Sequence, residues 1–457
     1  VASAWTAEQV GAMAPDAASA AAGRKLGSAA KWQTLGQTER LIWGEIEGSG
    51  SKPYQACIDV AGPAFKCSCP SRKFPCKHGL GLAFAHAEAA QAFASDTPPE
   101  WVAEWLEKRE ARAERQAKRD AAEDDKPVDD ETRRRRAAAQ GKRREQREEK
   151  ILAGIAELQH WLDDSLRQGL ARALDQTQAW DHMRARLVDA QAPGLARWLR
   201  RCQEARYLSE DWQGSALRAL SGLQLLLDAY PRRASLPEPL AADLEELVGL
   251  PHNKERLLAQ TGIEDSWRVM GKWIAEEERL QVQRTWLRGE QTRRWALLLD
   301  FAAASAVLPI TPVEGASIFG ELVFYPSAWP LRALIKTQDA PQDVDAASLM
   351  AGALGGLDAL YAGYAECLTR MPWIERFPAT LGQVAPLKQG DEWLLVDGAG
   401  KSVPIARQFP LRWELLAIGG GRGLDVFGEW DGEAFFPLTV IADGRVQGMQ
   451  AAQMELV

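Results

Sequence analysis

The stretch Cys67-Ser68-Cys69-Pro70-Ser71-Arg72-Lys73-Phe74-Pro75-Cys76-Lys77-His78 decides how the chain is read. It spells C-x-C-x6-C-x-H and gathers three of the 6 cysteines beside one of the 5 histidines. Thiolate and imidazole in that pattern suit tetrahedral zinc, and a site with all positions filled by protein is structural. Each C-x-C or C-x-H pair puts two donors on one side of an extended strand or turn. Pro70 and Pro75 stiffen the intervening loop and lower the entropy lost on closure. Three thiolates exceed the charge of zinc by about one, and Lys66, Arg72, Lys73 and Lys77 are placed to offset the excess. No acidic residue occurs between Asp59 and Glu88, whereas a catalytic zinc needs an open position with a carboxylate nearby. The expectation is one structural zinc on Cys67, Cys69, Cys76 and His78. The plain alternative is a tight turn of small buried residues.

The flanks extend the pattern. Trp43-Gly44-Glu45-Ile46-Glu47-Gly48-Ser49-Gly50 and Pro53-Tyr54 lead to Ile58-Asp59-Val60, two short strands around a Gly/Ser turn. After His78, Gly79-Leu80-Gly81-Leu82-Ala83-Phe84-Ala85-His86 reads as a helix packed on the site. Together these residues resemble the SWIM zinc finger, a small ββα module, most strongly over 40–90. Pro98-Pro99-Glu100-Trp101-Val102 and Val188-Asp189-Ala190-Gln191-Ala192-Pro193-Gly194-Leu195-Ala196 also look like bacterial SWIM zinc finger family proteins of this length. That resemblance implies protein–protein or DNA contacts, and companions such as MoxR-type AAA+ ATPases and VWA-domain proteins. An adaptor in such an assembly is the first expectation.

Composition bounds the rest. The chain has 457 residues, a formal charge of −8, 46% hydrophobic and 26% charged residues. That is an ordinary globular balance with room for several domains, and net acidity argues against a general nucleic-acid coat. The 18 tryptophans are spread from Trp5 to Trp430 and read as packing residues. Scattered Cys57, Cys202 and Cys367 suit a reducing cytoplasmic compartment. The first residues show no signal-peptide pattern, and no apolar run is long enough to span a membrane.

Along the chain, Thr6 begins a short helix as its N-cap, and the small residues Ala17 to Gly23 read as a packed arm or a loose tail, their position before the finger favouring an arm that covers it. Pro98-Pro99 opens a helix with Trp101 and Trp105 on one face. From Glu107 to Lys150 charges replace apolar residues, so this is a solvated helix, a disordered linker or both. Within it Arg133, Arg134, Arg135, Arg136, Lys142, Arg143, Arg144 and Arg147 form the strongest basic patch, with Glu145 the one acid among them. A solvated helix face explains it; the alternative is nucleic acid or an acidic partner, shared with the finger lysines.

Apolar residues at three- and four-residue steps from Ile151 to Leu174 predict a helix broken by Pro193-Gly194. Further helices are predicted over 195–206, 214–229, 239–248, 253–259 and 266–288, as a bundle or an α-solenoid-like scaffold. Strands are predicted at 295–301, 320–325, 392–397, 411–418, 424–430 and 435–441, with a helix over 346–371. Asp397-Gly398, Gly419-Gly420-Gly421 and Asp431-Gly432 read as hairpin turns. The fold class is therefore α+β and multidomain: arm and ββα finger (1–106), charged linker (107–150), helical domain (151–292), and an α+β domain with a β-rich, antiparallel end (293–457). No P-loop, dinucleotide-binding, nucleophile-elbow or H-E-x-x-H motif occurs. The expectation is a binding protein without enzymatic activity.

Overall fold

Helices α1 (Ala7–Ala12) and α2 (Ala17–Lys25) precede four antiparallel strands: β1 (Trp32–Gln37), β2 (Leu41–Ile46), β3 (Tyr54–Asp59) and β4 (Ala64–Cys67). Helix α3 (Lys77–Ala89) follows, then α4 over 100–111. This computed structural model describes residues 5–450 except 6, 15–16, 49–51, 61–63, 72, 94–96, 112–129, 209–210, 278–279, 304–307, 309–311 and 353–354; at 8–9, 12, 17, 130–140, 206–208, 276–277 and 303 it describes the backbone alone. Thr6, expected as an N-cap, lies outside the described residues.

The sheet has four strands where two were expected. The leader supplies β1, and β4 forms because Cys67 pairs with Ala56. Alternation then sorts the faces. Ile42, Ile46, Ala56, Ile58 and Phe65 pack with Leu80 and Phe84 of α3. Leu41, Trp43 and Cys57 point the other way and are covered by Trp101, Val102, Trp105 and Leu106 of α4. The arm reaches α3 through glycine. A Cβ at position 23 would lie 2.6 Å from Leu80 Cβ, and one at position 81 would lie 2.6 Å from Leu26 Cβ. The small residues of the leader are what lets α2 come this close.

The helices that follow are α5 (Asp130–Arg167), α6 (Leu170–Asp175), α7 (Thr177–Asp189), α8 (Pro193–Leu208), α9 (Trp212–Ala229), α10 (Glu238–Val248) and α11 (Lys254–Leu258). Ile151, Ile155, Leu158 and Leu162 of α5 enter one core with Trp180, Leu187, Leu199, Leu223 and Leu244. The single helix expected from Ile151 past Leu174 ends earlier, at Gly169 with φ 98°, a conformation that no helix continues through.

Residues 266–288, expected as a helix, are strands β5 (Ile263–Glu277) and β6 (Leu280–Gly289). Trp267, Val269 and Leu287 face one core, while Met270 and Trp286 face another. A strand that is apolar on both faces loses its two-residue alternation, and chance three- and four-residue spacings then mimic a helix. β6 pairs with β7 (Trp295–Ala303), so the domain edge expected at 292 falls inside a sheet. The sheet continues with β8 (Ala316–Phe324), β9 (Ala333–Gln338) and β10 (Gln342–Asp343), in the order β10-β8-β5-β6-β7 with β9 on β8. A parallel bridge between Leu297 and Arg332, with Leu297 N–H donating to Leu331 O at 2.7 Å, brings β7 back to the start of β9. Strands β5, β6, β7, β9 and β8 thus curl into a small barrel around Trp267, Leu287, Leu298, Ile318 and Leu322.

Helices α12 (Ala346–Met350) and α13 (Leu357–Arg370) stand where one helix over 346–371 was expected. They precede β11 (Phe377–Gln389), β12 (Glu392–Val396), β13 (Ser402–Pro404), α14 (Arg412–Gly419), β14 (Leu424–Trp430), β15 (Phe435–Ala442) and β16 (Arg445–Gly448). The antiparallel order is β13-β12-β11-β14-β15-β16. The expected strand over 411–418 is α14, and the glycines after it form its C-cap, Gly420 taking φ 51°. Trp373 is buried in the core of the bundle and donates to Gly222 O at 2.9 Å, tying the helices to this last unit. The chain is a mixed α+β protein with a β-rich C-terminal region. No helix among the described residues is long and apolar enough to cross a membrane.

Candidate metal centre

Two structural ends meet at the cysteine stretch. Cys67 closes β4, and the ladder runs one residue further, since Ser68 N–H donates to Gln55 O at 3.0 Å. Cys69 lies in the turn beyond. The chain returns through a cis Phe74–Pro75 bond, and Cys76 becomes the N-cap of α3, its Sγ accepting from Gly79 N–H at 3.4 Å. His78 follows in the first helical turn. The C-x-H pair, expected on one side of an extended strand or turn, straddles the start of a helix.

The four donor atoms of Cys67, Cys69, Cys76 and His78 all lie within 4.8 Å of one another. Cys67 Sγ and His78 Nδ1 are 3.8 Å apart. Metal–sulfur bonds of about 2.3 Å and metal–nitrogen bonds of about 2.0 Å give tetrahedral edges of this size. Cys76 and His78 are buried, and Cys67 and Cys69 are half-buried. The donor set fits a zinc-like ion. The Tyr54 ring centroid sits 4.8 Å from that of His78, and a Cβ on Gly79 would lie 2.9 Å from Phe65 Cδ1. These contacts, invisible in the spacing, press the helix start onto the sheet.

Electrostatics prepare the thiols unequally. Hydrogen bonding from Cys67, then from His78 and Gly79 N–H, lowers Cys76 to about 3 although burial opposes it. The positive end of α3 favours the same thiolate. Cys67 is pushed up by its hydrogen bond to Cys76 and by burial, and Cys69 chiefly by burial. Binding a metal removes the remaining thiol protons.

The basic residues are less focused. Lys66 is half-buried on β4, paired in register with Cys57, while Lys73 and Lys77 are exposed. Arg72 lies outside the described residues. Arg133, Arg134, Arg135 and Arg136 fall on α5 where the backbone alone is described; Lys142, Arg143 and Arg144 are exposed there, and Arg147 is half-buried. Sequence reasoning missed Asp59, 1% exposed, which accepts from Arg40 Nε at 3.1 Å and from Arg109 Nη1 at 2.8 Å.

Neither a curated protein nor a solved structure matches the chain. Residues 146–248 match the family model of a SWIM-associated four-helix bundle domain, and the Cys/His cluster upstream is compatible with a SWIM-type zinc finger.

Proposed function

We propose that Cys67, Cys69, Cys76 and His78 hold one structural zinc ion in a non-enzymatic binding protein. The observation that carries this reading is the closed four-donor cluster at the junction of β4 and α3. Bound there, the metal would supply cross-linking free energy, since in small zinc modules metal binding is largely folding free energy. The absence of acidic residues between Asp59 and Glu88 supports a structural role over a catalytic one.

The partner we propose is a protein, an AAA+ ATPase or VWA-domain protein, with this chain as adaptor. The resemblance of the sequence, the net charge of −8 and the match to a SWIM-associated bundle support it. A DNA-binding role is the second reading, favoured by exposed Lys73 and Lys77 beside the cluster and exposed Lys142, Arg143 and Arg144 on α5. Two measurements test both. Elemental analysis of the purified chain should find about one zinc per chain; none would remove the metal reading. Fluorescence anisotropy of duplex and single-stranded DNA across a salt series should show no binding near physiological salt. Tight binding that weakens steeply with salt would replace the adaptor with the nucleic-acid reading.

A further inference from the structure

We infer that Arg268, Arg288 and Arg293 form an oxyanion site at one end of the barrel, suited to the phosphate group of a ligand. The three side chains converge on two neighbouring carbonyls just after α12. Arg268 Nη1 and Arg293 Nη1 donate to Ala351 O at 3.3 and 2.8 Å, and Arg288 Nη2 donates to Gly352 O at 2.6 Å. Among the described residues one carboxylate meets this cluster: Glu290, whose Oε1 is 2.7 Å from Arg268 Nη2. Residues 353 and 354, outside the described residues, are Ala and Leu and bring no charge.

Among the described residues three cations face one carboxylate, and the excess falls on half-buried Arg288, its guanidinium 4.8 Å over the Trp295 ring, and on exposed Arg293. Arg268 is 6% exposed. Burial, followed by the like charges of Arg293 and Arg268, pulls Arg288 down to about 10. Its Nε is buried and finds no hydrogen-bond partner among the described residues. Uncompensated charge of this kind is costly and is relieved by a counter-ion. Bracing the carbonyl end of a short helix does not account for it. Such an end carries about half a negative charge, and one cation satisfies it.

The cluster is also held in shape. Arg293 takes φ 59°, unusual for a side chain of its size, in a turn pinned by Asp265. The Asp265 carboxylate accepts from Gln291 N–H at 3.1 Å, Thr292 N–H at 2.9 Å and Thr292 Oγ1 at 2.7 Å. Opposite it, Gly352 has φ 64°, and a Cβ there would lie 2.3 Å from Arg293 Nη1. The positive φ favours glycine here, and its bare Cα leaves room for the guanidinium. Each guanidinium carries five N–H donors in a fixed fork, and the carbonyls take few of them. What remains matches the tetrahedral, multiply accepting geometry of phosphate.

The test uses the full metal-loaded chain, titrated with inorganic phosphate against chloride at equal ionic strength. Thermal unfolding and phosphorus NMR are the readouts. Saturable binding with a rise in Tm is expected for phosphate alone. Arg293→Gln should weaken phosphate binding by about tenfold or more, the loss expected for a charged hydrogen bond. Without phosphate, its Tm should be unchanged or higher, because repulsion is relieved. No saturable effect in the parent chain overturns the proposal. So does an Arg293→Gln chain that loses Tm yet binds phosphate as before, since that is the signature of bracing. Arg288→Gln is the second variant, and Arg293, being exposed, decides if that one does not fold. Displacement of phosphate by an oligothymidylate would place the phosphate in a nucleic acid; no displacement would place it on a small ligand.

Discussion

The indole N–H of Trp286, on the barrel, donates to Oε1 of Glu429, on the C-terminal sheet, at 2.8 Å. Glu429 is 1% exposed and also meets Arg284 Nε at 3.3 Å and Arg376 Nη1 at 2.7 Å. Burial pushes its carboxyl up, but Arg376 and Arg284 more than offset this and hold it below its ordinary value. Glu429→Gln removes the carboxylate charge that Arg376 and Arg284 face and should cost about 3–5 kcal/mol, as for other broken buried pairs. Urea unfolding of the parent and variant measures the loss. Because the folded pKa is depressed, the contribution is present above the ordinary carboxylate range and disappears as pH falls through the folded value. A variant as stable as the parent would mean that the network adds nothing.

At the finger, Cys76→Ser removes one donor of the proposed metal site and the thiolate that caps α3. Metal content should fall to near zero, and residues of the N-terminal module should become sensitive to protease. Cys57→Ser should keep its metal. Burial raises Cys57 to about 12, and it sits on the α4 side of the sheet, away from the cluster. Loss of zinc from the Cys57 variant would make Cys57 a ligand and the assignment wrong.

Two glycines make a matched pair. Gly81→Ala brings a Cβ to 2.6 Å from Leu26 Cβ, whereas at Gly141, on α5, a Cβ meets nothing within 4 Å. The first should destabilise by about 1–3 kcal/mol through overpacking. The second should stabilise by about 0.5–1 kcal/mol through helix propensity. A Gly81→Ala denaturation midpoint no lower than the parent's would contradict the close contact of Leu26 with α3.

His86 is 3% exposed, and burial lowers it to about 4. Gln37 Nε2 donates to Ala90 O and Phe93 O, so Gln37 Oε1, 2.8 Å from His86 Nε2, is the acceptor and His86 carries its proton on Nε2. The unfolded chain protonates first as pH falls from its ordinary value near 6.5. The stability is complete above that value and declines by about 3 kcal/mol on the way down to the folded pKa. An NMR titration of the imidazole C2–H reads this directly, and a midpoint near 6.5 would show that the ring is not buried as described.

Much of the Cys/His cluster could be read from the sequence because its four side chains are close together in it. Cys67 and Cys69 are adjacent to a strand end, and Cys76 and His78 to a helix start, so local geometry nearly suffices. The Asp397-Gly398 and Asp431-Gly432 turns are likewise local, and each closes a hairpin through its aspartate carboxylate. What escaped depends on distant partners. Trp267 and Trp286 look helical until two cores are known to flank β5 and β6. Leu411 to Ile418 suits a strand or a helix equally, and the choice falls to α14 because Leu415 is buried while Trp413 faces outward, 62% exposed. Tyr54 against His78 needed the sheet register before it could be seen.

The clamp of Asp59 between Arg40 on the sheet side and Arg109 of α4 bears on how the finger can be excised. A fragment cut to 40–90 keeps every metal donor yet discards α2, which fills the seam over Gly81, and α4, which shields Leu41, Trp43 and Cys57. It would bind the ion while leaving two greasy faces wet and the Asp59 carboxylate with half its counter-charge. The packed unit is therefore not the motif but the helix–sheet–helix layers from Trp5 to about residue 111, whose core also takes in Val313 from far along the chain.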